Sequence, residues 1–134
     1  MSDQGRPVSF DPPRERRAPT TLRAQSSSGE SVEVPLNGLT LIVGVKPDCD
    51  GCRPFIEEPL SEFDGIDLFV VSAVDTNWAN ARRVVYYAPE FLAALELHWP
   101  PSYVLIDARS PRVVTEGVVF SPAQVAHEIS SYLR

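Results

Sequence analysis

The chain has 134 residues, 43% of them hydrophobic, and a formal net charge of −6. That length suits one domain with a core of its own, and the acidic balance excludes the basic footprint of a nucleic-acid binder. No segment reaches the roughly 18 apolar residues of a membrane span, and residues 1–31 hold no apolar run of the kind a secretory leader needs, so the expected setting is the cytoplasm.

Residues 1–30 read as a disordered tail. They carry Pro7, Pro12, Pro13 and Pro19 and the run Ser26-Ser27-Ser28-Gly29, and over residues 1–34 five Arg balance five acids. Such a segment buries too little surface to offset its ordering entropy. The folded domain is expected over 31–134. Val32-Glu33-Val34 alternates like a strand, and Asn37-Gly38 is a turn signal. Leu39 to Val45 is nearly all apolar, as a central strand covered on both faces would be.

Cys49-Asp50-Gly51-Cys52 follows that strand and contains both cysteines of the chain. A helix beginning at Cys49 would bring the two sulfurs to one side of its first turn. Its backbone N–H groups would favour a thiolate there. Strand, loop, Cys-x-x-Cys, helix is a physical recipe for thiol–disulfide exchange. In a reducing compartment a purely structural disulfide is disfavoured. Zinc would need further ligands, and His98 and His127 are the only imidazoles; no metal site is expected.

Pro54 suits the first turn of the next helix, and Pro59 should end it. A second buried strand is expected over 66–74. A helix capped by Asp75 or Thr76 should then run through Trp78, Arg82 and Val85, and another from Pro89 to His98. Trp99-Pro100-Pro101 must end that helix. Strands over 102–106 and 113–120 are too close for a crossover helix, so they should form an antiparallel hairpin. Ser121-Pro122-Ala123-Gln124 opens the last helix with a capping box, and Val125, Ile129 and Leu133 share one stripe.

This order, the placement of Cys-x-x-Cys and the Pro-Pro pair before a strand resemble the thioredoxin superfamily. The stretch SVEVPLNGLTLIVGVKPDCDGC (31–52) is similar to the opening of its TlpA-like and redoxin-like branch. The resemblance implies an α/β fold with a mixed sheet of four or five strands flanked by helices. It implies that Pro101 is a cis-proline facing the cysteine pair across a substrate groove. Pro100, before it, lacks an N–H and keeps only its carbonyl to offer an extended substrate. Trp99 is a candidate groove aromatic, standing in for one that the family commonly has before the first cysteine, where this chain has Asp48. Val43 occupies the place of the buried acid of thioredoxins proper, and Glu57 that of their helix proline. Lys46 stands where peroxiredoxins have Thr or Ser, so their motif is absent.

By position Cys49 is the nucleophile and Cys52 the resolving thiol. Lys46 and Arg53 favour a Cys49 thiolate, whereas Asp48 and Asp50 oppose it. The balance points to an ordinary thiol and a weakly oxidising disulfide, hence a reductase. The expected activity is thiol–disulfide exchange without metal or organic cofactor. Its substrate would be a protein or small-molecule disulfide, and its electron donor another dithiol or a reductase. The competing readings are a non-catalytic adaptor on the same fold and a redox-sensing binding module.

Overall fold

The structure is a computed structural model and describes residues 16–26 and 29–133. Its elements in chain order are β1 (Thr21–Gln25), β2 (Ser31–Pro35), β3 (Leu39–Val45), α1 (Arg53–Glu57), a 3-10 turn (Ser61–Phe63), β4 (Asp67–Ser72), β5 (Val85–Tyr87), α2 (Pro89–Ala94), β6 (Ser102–Asp107), β7 (Arg112–Val118), α3 (Pro122–Ile129) and a closing 3-10 turn (Ser130–Tyr132). The strands form one sheet in the order β2-β1-β5-β4-β3-β6-β7. β3 runs parallel to β4, and β4 to β5. The β3–β6, β6–β7 and β1–β2 pairs are antiparallel.

Period-two alternation along β3 builds two core layers. Leu41, Val43 and Val45 face Phe55 and Ile56 of α1 and Val125 and Ile129 of α3. Ile42 faces the other way, with Val71, Val104 and Ile106, against Phe91, Leu92 and Leu95. Gly44 shares that second face, and a Cβ there would stand 3.7 Å from Leu92.

The sheet has seven strands where four or five were expected. One extra strand comes from the expected tail. Leu22 is fully buried while Arg23 and Gln25 face solvent, and all of β1 pairs with β2 in register. A single inward leucine in a polar stretch is a weak sequence signal, and partnership with Val32 and Val34 decides it. The domain therefore includes residues upstream of 31; residues 1–15 lie outside the described residues. The second extra strand is β5. The helix expected from Asp75 through Val85 is absent, and 73–84 is a loop leading into Val85-Tyr86-Tyr87. β-branched and aromatic residues prefer a pleated surface, and pairing with Val70–Ser72 overrides the helical spacing.

Helix α2 ends at Ala94, short of His98. Glu96 takes a left-handed φ of 60°, and the Leu97 N–H reaches the Leu92 carbonyl at 2.9 Å, a helix-ending turn. Leu133 falls beyond α3 and is exposed. The capping box of α3 is present: the Gln124 N–H donates to Ser121 Oγ at 3.0 Å, and the Ser121 N–H to Gln124 Oε1 at 3.2 Å.

Residues 16–18 take an unexpected path. Arg17 forms an antiparallel bridge with Arg112, the Val113 N–H donates to the Arg16 carbonyl, and the Ala18 N–H to that of Pro111. The described residues thus begin at the β7 edge and cross the α2 face to reach β1 beside β5. Ala18 is buried in the second layer on the way. The Arg16 guanidinium fastens this strap to the Leu95 carbonyl and to Glu116.

One polar network ties the sheet to α3. The buried Tyr103 hydroxyl donates to Glu128 Oε1 at 2.7 Å, and Gln124 Nε2 donates to Glu128 Oε2 at 2.8 Å. The Gln124 bond first, then the Tyr103 bond, hold the Glu128 carboxyl below its usual range. Burial, then Glu128, push the Tyr103 phenol upward, so it remains a donor. A depressed carboxyl stabilises the fold above its unfolded pKa, and that contribution is lost as pH falls through the folded value. Tyr103→Phe should therefore cost roughly 1–2 kcal/mol near neutral pH. The gap to wild type should narrow as acid protonates Glu128. Urea denaturation at several pH values checks this; a gap independent of pH would contradict it.

Candidate active site

The helix after the cysteines starts later than the sequence implies. Cys52 is the N-cap of α1, and 49–52 is a turn in which the Cys52 N–H reaches the Cys49 carbonyl at 3.1 Å. With five residues, α1 contributes only a weak dipole at that turn. The turn brings the two sulfurs together as a disulfide, with the Cα atoms 5.3 Å apart. Cys52 is fully buried and Cys49 is 8% exposed. Cys49 therefore offers the accessible edge of the bond.

Cys49 lines an open groove of about 470 Å³ together with Lys46, Asp48, Asp50, Trp78 and Ala79. Asp48 has a left-handed φ of 56°. Asp tolerates that conformation, and a bulky aromatic there would be strained. This gives a physical reason for an acid where the family commonly has an aromatic. Arg53 turns to the two acids on either side, Asp50 at 3.6 Å and Glu57 at 3.9 Å. Its charge is shared among carboxylates rather than concentrated on the sulfur. Val43 is fully buried, and the one buried charged residue among those described is Asp107, at the opposite end of the sheet opposite Leu39. Among the described residues no buried carboxylate accompanies the pair.

The Pro100–Pro101 peptide bond is cis. Pro101 abuts the cysteine turn: a Cβ on Gly51 would lie 3.2 Å from Pro101 Cγ and 3.8 Å from the Val119 carbonyl. The Val119 N–H in turn donates to the Pro101 carbonyl at 3.0 Å. Gly51, between the two cysteines, thus meets Pro101 and Val119. Trp99 is 84% exposed and lines a separate shallow cavity of about 200 Å³ with His98, Ser102 and Gly117. Among the described residues, no cluster of three metal-binding side chains occurs, and no helix is long and apolar enough to cross a membrane.

The fold recurs in solved structures. A thiol:disulfide interchange protein of the thioredoxin family from Chlorobium tepidum superposes with a TM-score of 0.60 at 17% identity, over 92% of this chain and 100% of that one. The chain has the thioredoxin fold. The thioredoxin domain of a thiol-disulfide oxidoreductase from Bacteroides vulgatus gives 0.62 at 14% identity, over 88% and 96%. A mitochondrial 2-Cys peroxiredoxin from Plasmodium falciparum gives 0.59 at 11%, over 88% and 92%. No protein-family model and no curated protein matches the sequence.

Three site features escaped the sequence reading. Trp78, placed there on a helix, lies in the loop, packs half-buried against the core and lines the groove with Cys49. Phe120 is 77% exposed, next to Val119; an aromatic flanked by a polar helix cap was the available signal. The third is the arginine pair Arg82-Arg83, considered below.

Proposed function

We propose that this protein is a thiol–disulfide oxidoreductase that reduces disulfides on extended protein segments. The carrying observation is the joined Cys49–Cys52 pair, with Cys52 fully buried, Cys49 lining an open groove, and Gly51 between them packed against Pro101. In the reductive direction the Cys49 thiolate attacks a substrate sulfur, a mixed disulfide forms, and one substrate thiolate leaves. Cys52, as a thiolate, attacks Cys49 Sγ and releases the second substrate thiolate. The substrate gains two electrons, and the pair returns to the disulfide. A dithiol donor reverses the exchange on the enzyme and completes the cycle. No organic cofactor enters.

The direction follows from the charges. Asp48 and Asp50 flank Cys49, Arg53 is engaged by acids, and α1 is short. Lys46, which lines the same groove, is outnumbered by these acids, so the reduced form gains little special stability and the disulfide is a weak oxidant. Pro101, against Gly51, shapes the docking surface, and the exposed rings of Trp99 and Phe120, outside the cavity that Cys49 lines, offer further apolar contact to an extended segment. A cytoplasmic setting belongs to this proposal on composition alone.

The test is equilibration of the protein with glutathione buffers of graded redox ratio, followed by thiol alkylation and mass measurement. A reversible two-electron transition supports the reading. A pair that stays joined, or open, across the whole range overturns it. A second measurement addresses the groove. Gly51→Ala forces a Cβ against Pro101 Cγ at 3.2 Å, so the turn or the proline loop must shift by a few tenths of an ångström. The expected result is a several-fold loss of kcat/KM for a protein disulfide with stability changed by less than about 1 kcal/mol. Unchanged kinetics would remove Pro101 from the groove.

A further inference from the structure

Helix α1 ends at its C-cap, Glu58. The Glu58 N–H takes the Pro54 carbonyl. The carbonyls of Phe55, Ile56, Glu57 and Glu58 remain for partners outside the helix. Two consecutive residues of the 73–84 loop take all four. The Arg82 N–H donates to Ile56 at 2.8 Å and its Nε to Glu57 at 3.1 Å. Arg83 Nη1 donates to Phe55 at 2.7 Å, and its Nη2 to Glu58 at 2.6 Å and Pro59 at 3.2 Å. Among the described residues neither guanidinium pairs with a carboxylate. Both charges are committed to main-chain oxygens at the negative end of the helix, where charge-assisted bonds are strongest.

The same loop carries Asn77, Trp78 and Ala79, which line the groove together with Cys49. One clamp therefore fixes two things: the helix whose N-cap is Cys52, and a wall of the groove that holds the attacking sulfur. We infer that Arg83, assisted by Arg82, is a positioning residue of the redox site, holding the 49–52 turn in the geometry that lets the two sulfurs join. This deepens the oxidoreductase reading and rests on it.

The sign follows from reciprocity. A clamp that keeps the two thiols adjacent raises the effective concentration of each at the other and so favours the disulfide. Joining the sulfurs must equally favour the clamped helix. Removing Arg83 should make the pair easier to reduce.

The experiment compares wild type, Arg83→Met, Arg83→Lys and Leu22→Val in glutathione buffers near neutral pH, where an ordinary thiol is mostly protonated and thiolate charge contributes little. Arg83→Met should shift the equilibrium toward the dithiol by about tenfold, which is about 30 mV for two electrons. Arg83→Lys keeps the charge but not the fork, so its shift should be smaller and of the same sign. Leu22→Val lowers stability in the other core layer and should leave the equilibrium where it is. An unchanged or opposite shift in Arg83→Met overturns the inference, as does an equal shift in Leu22→Val. If Arg83→Met does not fold, Arg83→Lys and Arg82→Gln decide by the same sign, and no shift in either overturns it. A wild-type pair that never equilibrates sinks the oxidoreductase reading beneath it, a result distinct from a wild type that cycles and an Arg83 variant that matches it.

Discussion

Cys49→Ser should reduce insulin no faster than dithiothreitol alone, and Cys52→Ser should be equally inactive in turnover. The two differ in what accumulates. Cys49 lines the groove and Cys52 is fully buried, so only Cys49 can open an attack on a protein substrate. With Cys52 replaced, the mixed disulfide has no internal thiol to resolve it. A covalent adduct sensitive to reductant should then build up in Cys52→Ser and be absent from Cys49→Ser. Non-reducing electrophoresis with an alkylation quench reads this directly. The expected loss of turnover is at least about a hundredfold, because both steps of the exchange are nucleophilic and serine is a poor substitute for a thiolate. Adducts in Cys49→Ser but not in Cys52→Ser would exchange the two roles. Wild type no faster than either variant would favour the adaptor reading.

Gly117→Ala should be the most destabilising single-methyl change near the site. A Cβ at 117 would lie 2.8 Å from Tyr103 Cε2 and 3.1 Å from its Cζ and hydroxyl oxygen. The ring cannot step aside: it is buried, and Glu128 holds its hydroxyl at 2.7 Å. β7 must move instead, which costs about 1–3 kcal/mol as an overpacking change. On a typical total of roughly 5–15 kcal/mol that is a large fraction. The denaturant midpoint should fall clearly, with little change in slope. Shrinking the neighbour should relieve the clash, so Tyr103→Leu and Gly117→Ala should combine to less than the sum of their single costs. A Gly117→Ala midpoint equal to wild type would mean the strand has slack that its contacts do not suggest. Activity should fall as well, since Val119, two residues on, bonds the Pro101 carbonyl.

The part of the fold that was legible in the sequence is the part in which local pattern and tertiary context agree. Leu39–Val45 reads as a doubly buried strand, and it sits inside the sheet between β4 and β6. Ser121 and Gln124 specify their helix start by short-range chemistry alone, and both capping bonds are present. The closing hairpin follows from the short spacing between 106 and 113. What was missed depends on partners distant in sequence. Thr21–Gln25 has one strongly apolar residue and becomes a strand only because β2 and β5 are beside it. Val85 looked like the end of a helical stripe until pairing with Val70 is known.

At the site, the spacing of the cysteines identified the reacting pair, but the placing of the helix was four residues early. Pro54 suits a first turn, and that turn begins at Arg53. Trp99 drew notice because it adjoins the prolines, whereas the aromatic beside Cys49 is Trp78, brought there by a loop. Arg82 and Arg83 could not have been found by motif. Their task is defined by carbonyls some 25 residues earlier, and main-chain acceptors leave no mark on a sequence.

The strap of residues 16–18 bears on the order in which the molecule is completed. Its partners at 111–113 leave the ribosome almost a hundred residues later, and contacts of such separation are slow to form. Until then Ala18 and Leu22 have no finished surface to rest on, and the layer around Phe91 and Leu92 stays open to the surroundings. The layer that carries the cysteines waits as long, since Val125 and Ile129 of α3 complete it. The earliest described residues are therefore seated only once nearly the whole chain has been made.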